Sequence, residues 1–143
     1  MRKLIFLSIA AACGIAMASS KSGARTLSHK QLVEQVTGNT IHFRGPDFEV
    51  FEYLSPDGVT LGLSTDAGRY RKGDILGFST KTGPYRARWR IIRGDLLCLE
   101  HDDPMQSGCV KVSLEQGQIE FHRLDGVVEG PFEFLPGNPR KLN

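Results

Sequence analysis

His101-Asp102-Asp103 is the densest group of potential ligands in the chain, and it lies between Cys98 and Cys109. A metal centre needs three or four such groups converging, so His122 would have to come in from a later segment. With Pro104 the same residues read as a solvated loop, because Asp and Pro are turn formers, and that reading is the stronger. Nucleophilic catalysis requires a serine or cysteine with a base in reach, and no serine stands in a Gly-x-Ser-x-Gly elbow. Glu49 and Glu52 resemble the carboxylate pairs of glycoside chemistry, but on a strand they face opposite sides. No catalytic residue, metal or cofactor is assigned, and the expectation is a protein that is not an enzyme.

Arg86, Arg88 and Arg90 alternate with Ala87, Trp89 and Ile91, which puts a cationic stripe on one face of a strand. Arg69, Arg71 and Lys72 stand in the preceding segment. Such a stripe could dock a carboxylate or phosphate; equally, it is how an exposed strand face resists aggregation, and the second reading is favoured. Arg93-Gly94-Asp95 spells an adhesion tripeptide, but a tight hairpin turn accounts for it.

The leading residues bear on compartment. Arg2 and Lys3 precede an apolar run from Leu4 to Ala12, and Ala16-Met17-Ala18 offers a small-x-small cleavage site. This is the pattern of a secretory leader cut near Ala18, too short to span a bilayer, which takes roughly 20 residues. Ala10-Ala11-Ala12-Cys13-Gly14 also resembles a lipobox, so a lipoprotein anchored through Cys13 is the alternative. The expected location is periplasmic or secreted. Removing residues 1–18 takes two of the 18 basic residues and none of the 16 acidic ones. The mature chain is then neutral and lacks the basic excess that nucleic acid or an anionic membrane would require. Membrane contact is expected only through a lipidated Cys13. Cys98 and Cys109 remain; outside the cytoplasm they admit one intramolecular pairing, with buried free thiols as the other reading.

Residues 19–27 are small and polar and read as a flexible tether. Ser28 with Gln31 forms a capping-box pattern, and Leu32, Val33 and Val36 recur at helical spacing before Gly38-Asn39. This predicts one short helix of about nine residues. From residue 40 the pattern is of strands: 40–43, 48–54, 59–63, 86–92, 96–100, 109–114, 119–124 and 127–134, with 74–79 a weaker candidate. Ser55-Pro56-Asp57-Gly58 marks a turn. Hairpin-length connections require an antiparallel sheet, as a meander barrel or a sandwich of seven to eight strands. The single domain spans 28–135, with a flexible tail over 136–143. Alternation predicts a buried face carrying Phe51, Tyr53, Leu61 and Leu63, and another carrying Trp89 and Ile91.

The order of landmarks is Thr37-Gly38-Asn39-Thr40, then Pro56-Asp57-Gly58, Trp89, Leu97-Cys98 and Cys109. It resembles a family of small exported domains of Gram-negative bacteria whose function is unknown. Ala87 stands where that pattern has a glycine two residues before the tryptophan. The resemblance covers residues 30–125 and implies a lipocalin-like β-barrel with a Cys98–Cys109 disulfide; it carries no catalytic residues.

The expected function is non-catalytic binding of a small apolar or amphipathic ligand, with Trp89, Phe51 and Tyr53 lining a cavity and Arg88 at its edge. A protein-interaction module, such as an inhibitor or chaperone of an envelope enzyme, is the alternative, and a hydrolase or metal-binding protein stands third. The partner is thus an unknown small molecule or envelope protein.

Overall fold

Ser28 starts the helix as its spacing predicts. Its hydroxyl accepts from the Gln31 N–H at 3.4 Å, and the Gln31 side-chain oxygen accepts from the Ser28 N–H at 2.9 Å. The α-helical turn His29–Gln31 runs into a π-helical turn, Leu32–Val36. The wider turn buries Leu32 and Val36 but leaves Val33 in solvent, so the apolar edge is narrower than expected. Gly38, at φ +77, ends the helix in a conformation that favours glycine.

The computed structural model describes residues 24–45, 48–65, 82–102, 104 and 107–143. The expected leader with Cys13, the candidate strand 74–79, Arg69, Arg71, Lys72 and Asp103 lie outside the described residues. Eight strands follow the helix: β1 (Thr40–Arg44), β2 (Glu49–Leu54), β3 (Val59–Thr65), β4 (Gly83–Ile92), β5 (Leu96–Glu100), β6 (Gly108–Glu115), β7 (Gln118–Arg123) and β8 (Val128–Leu135). Each pairs antiparallel with the next, and β8 returns to β1, so the sheet closes into a barrel rather than folding as a sandwich. No helix among the described residues is long and apolar enough to cross a membrane.

Alternation along the strands divides inside from outside. Ile41, Val50, Leu54, Leu97, Leu99, Val110, Val112, Ile119, Phe121 and Phe132 form the core, closed at one margin by Leu27, Leu32 and Val36. Leu27 ends the segment expected to be a loose tether, yet it is buried and its N–H donates to the Val112 carbonyl at 2.7 Å. In the β2–β3 hairpin the parity is the reverse of that expected. Phe51 pairs with Leu63 and Tyr53 with Leu61, but on the outer face. The core takes Val50 and Leu54 from β2. The alternation misleads here because Glu52 interrupts the true inward set, making the aromatic set look like the core face.

The seam between β1 and β8 gathers a second set of contacts. His42, almost fully buried on the outer face, stands between Glu49 at 2.8 Å and Glu133 at 2.5 Å. Its ring stacks on Phe51, centroids 4.2 Å apart, and the Arg140 guanidinium covers the other side of Phe51 at 4.4 Å. Thr40 donates to the Gly137 carbonyl at 2.7 Å, and the Gly137 N–H donates to the Asn39 side chain at 2.9 Å. In the segment after Pro136, expected as a flexible tail, Gly137 is thus bonded to Asn39 and Thr40, and Arg140 lies over Phe51.

Cys98 and Cys109 face each other across β5 and β6 and are joined by a disulfide. With a sequence separation of 11, chain-entropy reasoning gives about 3 kcal/mol. Cys98→Ser should therefore lower Tm by about 10 °C in oxidising buffer; equal melting curves for the variant and the parent would refute a stabilising role.

Glu49 yields a pH prediction. Hydrogen bonds from Arg44 and then His42 hold its carboxyl below the ordinary 4.5. A depressed acid adds stability above that value and loses it as pH falls through the folded-state value. Glu49→Gln should thus melt below the parent at neutral pH, and the two curves should converge as pH drops below 4.5. Parallel curves across that window would contradict this.

Candidate functional site

The interior of the barrel is uneven. Inward positions on β5 to β8 are filled by large apolar side chains. Those on β3 are Thr60, Gly62 and Ser64, and Ala87 follows on β4. These small residues leave room beside β2 for polar groups. Gly62 is required there, since a Cβ at that position would lie 2.0 Å from the Tyr85 ring.

Glu52 occupies the middle of this sector, with no exposed surface. Tyr85 donates its hydroxyl to Glu52 Oε1 at 2.6 Å, and His101 Nε2 stands 3.3 Å from the same oxygen. The Tyr85 and His101 rings lie 5.7 Å apart at a tilt. Glu52 Oε2 has no hydrogen-bond partner among the described residues, nor do the buried hydroxyls of Thr60 and Ser64. A buried charge needs full compensation to avoid a penalty of several kcal/mol. By contrast Glu129, the other buried carboxylate among the described residues, is held by Arg123 at 3.2 Å. Glu52 is half matched, and native proteins keep such groups mainly where they serve a function.

His101 connects this interior to the surface. It follows the last residue of β5, and its backbone is fixed by Ser107, whose hydroxyl accepts from the His101 N–H at 2.9 Å and donates to the His101 carbonyl at 3.1 Å. Its side chain is turned inward and 4% exposed, while the residue also borders an open pocket of about 350 Å³ on the outer face, whose walls include Arg86, Ala87, Arg88, Glu100 and Asp102. Among the described residues Arg86 and Arg88 make no ion pair, whereas Arg90 is held by Glu100 at 2.7 Å.

The sequence-predicted residues therefore separate. Arg88 lies on the pocket. Trp89 faces inward, and its indole N–H is bound to the Ser55 carbonyl at 2.8 Å. Phe51 and Tyr53 are on the outside, and Phe51 is covered by Arg140. His122 does not join His101: it sits on the outer face with Ser113 at 2.8 Å and Glu120 at 3.7 Å. No group of three potential metal ligands forms among the described residues. Asp95 of the Arg-Gly-Asp turn is paired with Lys111 at 3.2 Å. Glu49 and Glu52 do face opposite sides, as their spacing requires.

Sequence reasoning missed Tyr85 altogether and weighed Glu52 only as half of a pair. The available signal was the run Val59-Thr60-Leu61-Gly62-Leu63-Ser64, whose small residues are too regular for a solvent face and stand opposite the strand face that carries Glu52 between Val50 and Leu54.

Removing the Tyr85 hydroxyl should expose the cost of the buried carboxylate. Tyr85→Phe is expected to destabilise the fold by about 1–3 kcal/mol, and much less when combined with Glu52→Gln. Urea denaturation of the two single variants and the double variant measures the coupling; simple additivity would show that the pair does not interact.

No family model, curated protein or solved structure matches this chain.

Proposed function

We propose that this protein is an exported, disulfide-bonded β-barrel of the bacterial envelope that binds a small amphipathic molecule without transforming it. One observation carries the reading: a fully buried, half-matched carboxylate stands directly behind a histidine that forms part of an open surface pocket. Ligand sites in barrels combine apolar walls with a few convergent polar groups, and the contrast between β5–β8 and β2–β4 supplies both. Export is supported by the leader pattern and by a bond that belongs to oxidising compartments. The motif order shared with small exported Gram-negative domains supports the same compartment.

A second reading has its own observation. Leu124, Val127 and Val128, at the tip connecting β7 to β8, are each about half exposed or more. Such a tip suits a protein partner, as an inhibitor or chaperone of an envelope enzyme would need.

Native mass spectrometry of the chain expressed with its own leader and recovered from the envelope separates the two. A persistent added mass of a few hundred daltons, lost in Arg88→Glu while Tm is unchanged, is the expected outcome. A clean apo mass together with a co-purifying protein that Leu124→Asp releases would replace the carrier reading with the interaction module. The same spectrum reports cleavage near Ala18 or lipidation at Cys13.

A further inference from the structure

Building on the carrier reading, we propose that the molecule carried is an anionic amphiphile held on the outside of the barrel, its carboxylate or phosphate seated between Arg86 and Arg88. A row of charges on a strand is ordinarily explained as protection of an open sheet edge. A closed barrel has no such edge, and β4 lies between β3 and β5. The arginines therefore need another account. The pocket they line opens where β5 ends: Arg88 and Glu100 form the last β4–β5 pair on that side. Beyond it the chain turns away from β4, because the N–H and the carbonyl of His101 both bond the Ser107 hydroxyl. The outcome is a depression of about 350 Å³ with Arg86 and Arg88 on one wall.

The charge count favours an anion. Glu100 is the cross-strand neighbour of Arg88, yet its carboxylate goes to Arg90 at 2.7 Å. Arg86 and Arg88 make no ion pair among the described residues. Asp102 is the other acid on the pocket, so two guanidinium groups stand against one carboxylate and the pocket stays cationic. Positions two apart on one strand face lie about 7 Å from each other, and each arginine presents a fork of N–H donors that fits a carboxylate or phosphate. An oxyanion between them takes charge-assisted hydrogen bonds from both. The apolar half of the ligand follows from the neighbours on the other side. Val59, on the pocket wall, is opposite Arg88, and Leu61 is opposite Arg86. Tyr53 continues the row on β2 as the partner of Leu61. All three are half-buried on the outer face, and an alkyl chain laid along them removes apolar surface from water.

The test uses the full chain recovered from the envelope and stripped of any retained molecule, with octanoate, octyl phosphate, inorganic phosphate and n-octylamine as probes. Calorimetry reads affinity, and amide NMR shifts locate the contact. Octanoate and octyl phosphate should bind with shifts concentrated at 59–61 and 86–88, and the tighter of the two identifies the head group. Inorganic phosphate should bind at least about tenfold more weakly than octyl phosphate, and octylamine should leave those amides unmoved. Arg86→Ala and Arg88→Ala should each weaken the anions at least about tenfold with melting curves unchanged, and Arg88→Lys should fall between. Glu100→Gln, which releases Arg90 toward the pocket, should tighten anion binding, a gain that a purely structural role for these residues does not produce. Octylamine binding as tightly as octanoate, or indifference of folded Arg86→Ala and Arg88→Ala, would overturn the anion assignment. Inorganic phosphate matching octyl phosphate would overturn the apolar row. Silence from both octyl anions would overturn the whole inference; the carrier reading would stand if the unstripped chain carries an added mass, and fall with it if that mass is absent.

Discussion

Closure is the condition on which the remaining contacts depend. Seven of the eight strand pairings join strands that are neighbours in sequence, and the eighth brings β1 to β8. Only when that pairing forms does the sheet acquire an inside, and with it a place where Glu52 can be shut away from water. The seam is reinforced on the outside by His42 between Glu49 and Glu133, and by Arg140 lying over Phe51. A buried carboxylate within and a charged clasp without are thus two consequences of one geometric event.

Much of the architecture was legible because it rests on local chemistry. Ser28 and Gln31 announce a helix start, and the Pro56-Asp57-Gly58 turn announces a hairpin whose strands fall within a residue or two of the expected ends. The disulfide was legible from arithmetic, with only two cysteines beyond the expected leader. What remained hidden was which side of a strand faces in. In β2 both parities offer apolar side chains, and period-two alternation cannot choose between Val50 with Leu54 and Phe51 with Tyr53. The choice was made by partners far away in sequence: Arg140 and His42 shelter Phe51, and Tyr85 receives Glu52. Half of the candidate site therefore escaped a reading based on sequence periodicity, while Arg88, whose outward position follows from its alternation with Trp89, did not.

The polar sector also explains a departure from ordinary core composition. A barrel this narrow is normally filled by interdigitated apolar side chains. Here Thr60, Gly62, Ser64 and Ala87 withdraw side-chain volume on one flank, and Tyr85 folds its ring across Gly62 into the space they leave. The carboxylate is supported by a ring that could not sit there against any larger residue. Position 62 thus sets the placement of Tyr85 as firmly as Tyr85 sets that of Glu52.

The meander order has a consequence for how the chain reaches this state. Contacts between sequence neighbours close short loops and cost little entropy, whereas joining β1 to β8 closes a loop of nearly the whole domain. Until that happens the chain can be no more than an open sheet with two bare margins, each a template for pairing with another molecule. Those margins are the strands carrying His42 and Glu133, which meet across the closed seam. The polar side chains that later clasp the barrel shut are, beforehand, what makes its edges poor partners for a stranger, so one set of side chains guards the chain against aggregation and then completes its fold.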